Sequence, residues 1–95
     1  MPKTSRAALK KMIAKMLNID IFQVRNSEDF DGNKGGIWIS GESDYSLNKL
    51  PVFDYYATGS LYEFGVLKKF NDFLVSKGWH SEWYDAGTMM IWRGT

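Results

Sequence analysis

The chain reads as an α+β domain, a mainly antiparallel sheet of about five strands with two helices on one face, in the order α-β-β-β-α-β-β. Three observations predict this. Two segments repeat apolar residues at helical spacing, short β-branched and aromatic runs are set apart by glycine-rich turns, and residues 79–92 alternate as a hairpin does.

Ser5 stands where a helix cap is expected, ahead of Leu9, Met12, Ile13, Met16 and Leu17, whose spacing predicts a helix ending near Leu17. The run "IDIFQVR" (19–25) predicts a strand, "NSEDFDGNKGG" a turn-rich loop, and "GIWIS" (36–40) a second strand. "GESDYSLNKLP" is again loop, and "VFDYY" (52–56) predicts a third strand, with Pro51 just before it, where a missing N–H does no harm. A second helix is expected from near Leu61 to Lys77, burying Val66, Leu67, Phe70, Phe73 and Leu74 and stopping at Gly78. "WHSEWY" and "TMMIWR" are the last two strands. The "DAG" between them predicts a three-residue loop with Gly87 in the left-handed position.

With 95 residues, the expectation is a single domain spanning 1–95. Aromatic residues make up 16% of the chain, so large rings can build a core from few positions. The absence of cysteine excludes disulfides and thiolate metal sites, and nothing in the sequence calls for a cofactor. No apolar run reaches the roughly 18 residues of a spanning helix, and the basic opening "MPKTSRAALKK" is not followed by the apolar segment of a secretory signal. A cytoplasmic setting is the expectation.

Net charge is only +1, but the charges are sorted along the chain. Residues 1–25 carry six basic side chains against one acid, and residues 26–63 carry seven acids against two lysines. Such sorting marks a partner surface, or it lets opposite charges of one folded domain screen each other.

The stretch "WHSEWYDAGTMMIW" (79–92) holds three tryptophans, a tyrosine, two methionines and the only histidine. Alternation along each strand divides them. Trp79, Ser81, Trp83, Met89 and Ile91 carry no charge and make the core wall. His80, Glu82, Tyr84, Met90 and Trp92 share the other face, where rings and methionine beside polar groups suit a protein contact. The alternative is that the 41–63 connection covers Met90 and Trp92. Glu42, Asp44 and Asp54 add a candidate acidic contact.

Catalytic signals are absent. His80 and Glu82 stand two apart on one face, but no second histidine or cysteine completes a zinc site. "DFDGNKGG" lacks calcium-loop spacing, and the glycines at 32, 35 and 36 have no strand–GxxxxGK–helix context. With no nucleophile–base pair either, an enzyme is not expected.

Two resemblances add to this reading. "GVLKKF" (65–70), in an α-β-β-β-α order, resembles the double-stranded RNA-binding domain, although Asn71 and Asp72 stand where that family has a small residue and another lysine. It implies nucleic-acid binding through Arg6, Lys10, Lys11, Lys15, Lys68 and Lys69. The close "FGV…F…FL…GW…EWYDAGT" resembles the small proteins of bacteriophages and mobile elements, anti-CRISPRs among them, which block a host defence component without catalysis. The leading expectation is therefore a non-enzymatic protein-binding module, of the kind a phage uses to inhibit a host defence complex. Its partner would be a host protein or protein complex. A nucleic-acid-binding module is the alternative.

Overall fold

Ser5 caps the first helix: its Oγ accepts from the Ala8 amide at 3.2 Å, and α1 runs Arg6–Leu17. The computed structural model describes residues 4–32, 34–41, 45–47, 49–54 and 59–94. Leu9, Ile13 and Leu17, four apart, are buried along one side of α1 with Ala14, while Met12 falls at the exposed margin of the stripe. Asn18, in the left-handed conformation, ends the helix.

The strand expected over 19–25 is mostly absent. The Asp20 carboxylate accepts from the Phe22 amide at 2.9 Å and closes a 3-10 turn over Ile21–Gln23. A local side-chain bond has taken backbone that a ladder would need, and only β1, Arg25–Asn26, pairs as a strand. The loop after it contains a short helix, α2 (Glu28–Asp31), before β2 (Ile37–Ser40).

The next expected strand is also displaced. The ladder there joins β3 (Ser46–Leu47) to β4 (Leu50–Pro51), ahead of "VFDYY", of which Phe53 makes one bridge to Val66. Residues 55 and 56 lie outside the described residues. The second helix starts later than expected, because residues 62–67 form a hairpin of β5 (Tyr62–Glu63) and β6 (Val66–Leu67). Both residues of its tip, Phe64 and Gly65, have positive φ (50° and 77°), the twist that a two-residue hairpin loop requires. Helix α3 then spans Lys68–Ser76, buries Phe70 and Leu74, and is followed by Gly78 at φ 84°.

The last two strands are β7 (Trp79–Asp85) and β8 (Thr88–Arg93). Their register runs from Trp79↔Arg93 to Trp83↔Met89 and then skips to Asp85↔Thr88, leaving Tyr84 as the extra residue of a bulge. Gly87 is not among the positive-φ glycines, contrary to expectation. The Asp85 carboxylate accepts from its amide at 2.9 Å and closes the loop instead.

Four strands make the central sheet, in the order β1-β2-β8-β7 and antiparallel throughout. The α+β class is as the sequence predicts. One face of the sheet carries Ile37, Ile39, Trp79, Met89 and Ile91, in a single buried cluster with Leu9, Ile13 and Leu17 of α1 and Phe70 and Leu74 of α3. Trp79 adds a bond across the sequence, its indole N–H donating to the Thr4 carbonyl at 2.8 Å. Among the described residues no helix is long and apolar enough to cross a membrane.

Candidate partner-binding surface

The two faces of the C-terminal hairpin divide as alternation requires. Trp79, Met89 and Ile91 are buried against the helices, and Trp83 packs on the same cluster. On the other face His80 opposes Trp92 and Glu82 opposes Met90. His80, Glu82 and Tyr84 are exposed, Tyr84 by 58%, and Trp92 is half-buried. Met90 is a correction: expected to be presented, it is only 2% exposed.

Among the described residues the 27–36 segment lies over this face. Residues 42–44, 48 and 55–58 of the 41–63 connection, the other expected cover, lie outside the described residues. Phe30 of α2 lies 5.3 Å from the Trp38 ring and meets Tyr84 edge-on at 4.8 Å. Trp38 is the cross-strand neighbour of Met90, so these three rings close over the sheet where Met90 sits. The Arg25 guanidinium stacks 4.5 Å from the Trp38 ring centre. The Trp92 ring lies against Gly36, leaving no room there for a Cβ.

Charged and polar groups hold this segment down. Ser27 is buried. Its amide donates to the Gly36 carbonyl at 2.9 Å, and its Oγ accepts from the Gly36 amide at 2.9 Å. Arg6 donates from α1 to the Glu28 carboxylate at 2.7 Å and to the Gly36 carbonyl at 3.2 Å. The Glu28 backbone amide, with the Arg6 guanidinium next in weight, holds the Glu28 carboxyl at about 2, well below its ordinary 4.5. Lys10 is engaged as well, donating to Asn26 at 3.0 Å. Two of the six cations expected to form a nucleic-acid surface are therefore tied into the fold. Lys11, Lys15, Lys68 and Lys69 stay exposed.

A cleft that the sequence reading missed runs beside β7. It holds about 520 Å³ and is lined by Glu63 and Phe64 of the β5–β6 hairpin, Asn71, Asp72 and Val75 of α3, and residues 80–83 of β7. Four consecutive strand residues point alternately to opposite faces, so one cleft touches all four only by abutting the strand's edge. Phe64 is 93% exposed at its rim, and its carbonyl accepts from the Trp83 indole N–H at 2.6 Å. Inside, the Ser81 hydroxyl donates to the Asn71 side chain at 2.5 Å. Phe-Gly at a hairpin tip is not the usual Asn-Gly signal, which is why 61–67 read as the start of a helix.

Of the other expected contacts, Glu42 and Asp44 lie outside the described residues, and Asp54 is exposed, its amide donating to the Gly65 carbonyl at 2.8 Å. Among the described residues no three histidine or carboxylate side chains converge to hold a metal ion. No protein-family model, curated protein or solved structure matches this chain.

Proposed function

We propose that the protein is a non-enzymatic protein-binding module whose contact surface is the β7 side of the sheet, with Phe64 at the rim of the cleft, His80 and Glu82 lining it, and Tyr84 exposed further along β7. One observation carries this reading. A phenylalanine stands 93% exposed at φ 50°, with its backbone pinned by Trp83. A left-handed backbone costs a residue with a Cβ about 1–2 kcal/mol, and an exposed ring returns none of it through burial. A partner that buries the ring would return it, since aromatic side chains dominate interface cores. The resemblance to small mobile-element proteins supports the narrower reading, a phage-type inhibitor that occupies a surface of a host defence complex.

Affinity capture from a bacterial lysate, comparing the parent chain with Phe64→Asn, tests the reading. Asparagine suits the turn, so the variant keeps the hairpin and loses only the ring. A stoichiometric, nuclease-resistant protein recovered by the parent should bind the variant about thirtyfold more weakly, as for a typical hot-spot truncation. Equal recovery by both chains, or recovery that nuclease abolishes, would overturn it.

A further inference from the structure

We infer that the cleft takes an extended, lysine- or arginine-bearing segment of a partner protein, which adds to the sheet as a fifth strand along β7. The inference rests on the protein-binding reading above and names the chemistry of the occupant.

Strand geometry supplies the first support. β7 is the last strand of its sheet. The Gly94 amide donates to the Gly78 carbonyl at 3.0 Å, and Trp79 is in register with Arg93. In an antiparallel ladder, bonded pairs alternate with non-bonded ones. The bonded pairs to β8 are then His80–Trp92 and Glu82–Met90, and Ser81 turns its N–H and C=O away from β8. The far side of β8 obeys the same parity, because the Gly41 amide donates to the Gly87 carbonyl at 3.0 Å, in step with Ile39↔Met89 and Ile37↔Ile91. Ser81 also lines the cleft, and no backbone bond joins it to another described residue there. A partner strand would find a donor and an acceptor waiting at the middle of this edge.

Charge selects the occupant. Glu63, Asp72 and Glu82 surround the cleft, and its lining includes no lysine or arginine. Phe64 and Val75 give it apolar walls. A segment that alternates apolar and basic side chains matches both. A second copy of this chain does not, because pairing β7 with β7 would set two acidic clefts against each other.

Nuclear magnetic resonance of the full ¹⁵N-labelled chain, titrated with a short synthetic peptide alternating lysine and valine, tests this. Amide shifts should concentrate at residues 80–83, 63–64, 72 and 75, and the affinity should weaken as salt rises. Asp72→Lys with Glu82→Lys should lower the affinity at least fivefold. The same peptide methylated on its backbone nitrogens should cause no shifts, since it cannot extend a ladder. Shifts located elsewhere, an equal response to a glutamate–valine peptide, or undiminished binding of the methylated peptide would each overturn the inference. A chain that loses its captured partner on Phe64→Asn yet ignores the basic peptide keeps the protein-binding reading and loses only this one.

Discussion

Two phenylalanines flank the same hairpin and have opposite fates. Phe30 sits on a segment fastened by Ser27, Glu28 and Arg6, and its ring packs against Trp38 and edge-on against Tyr84. Phe64 sits on a hairpin fastened by Trp83, and its ring touches water. Both loops are tied to the sheet through polar bonds, so tethering alone does not bury a ring. The difference is where the loop lands: α2 lies across a sheet face, which offers rings, whereas the β5–β6 tip reaches an edge, which offers backbone and carboxylates.

That contrast can be broken at three points. The largest effect should follow Phe30→Ala. Removing the ring uncovers Met90 and Trp38 and should cost about 2–3 kcal/mol in urea unfolding, somewhat less than for a fully enclosed phenylalanine. A loss no greater than that of a surface substitution would show that the 27–36 cover is idle.

The next effect is pH-dependent. The folded Glu28 carboxyl titrates near 2, below its ordinary 4.5. Its contribution is therefore complete above about 4.5 and disappears as pH falls from there toward 2. Glu28→Gln should be less stable than the parent at neutral pH, and the two unfolding midpoints should converge across that window. Parallel midpoints from pH 7 down to 2 would detach Glu28 from the clamp.

The smallest effect is expected at the other ring. Phe64→Asn should leave unfolding unchanged or raise stability by up to about 1 kcal/mol, because asparagine tolerates the left-handed backbone better. Destabilisation by more than that would mean that Phe64 supports the fold, and the contrast with Phe30 would fail.

What the sequence disclosed, and what it hid, follows the range of the interactions. Ser5, Gly78 and the alternation of 79–92 act within a few residues and were legible, as was "GIWIS" between its glycines. Asp20 is also local, but its choice of the Phe22 amide over a β-ladder overrode the β-branched composition of 19–25. The cover over Met90 depends on Arg6 meeting Glu28, 22 positions away, and no spacing rule announces such a pair. At the candidate site, the exposure of His80, Glu82 and Tyr84 could be foreseen from strand alternation. The cleft could not, since Phe64, Asp72 and Ser81 come from three separate elements, and the spacing of 61–77 predicts the first two on a single helix.

The position of β8 carries one more consequence. It lies between β2 and β7 at the centre of the sheet, yet it is the last of the four strands to be synthesised. Until it leaves the ribosome, β1–β2 and β7 share no ladder, and the wall against which α1 and α3 close lacks Met89 and Ile91. Folding must then wait for contacts between distant parts of the chain, the kind that slow the search for the native state. A translation product ending at Gly87 would carry all three helices and three of the four strands and still lack the strand that joins β2 to β7.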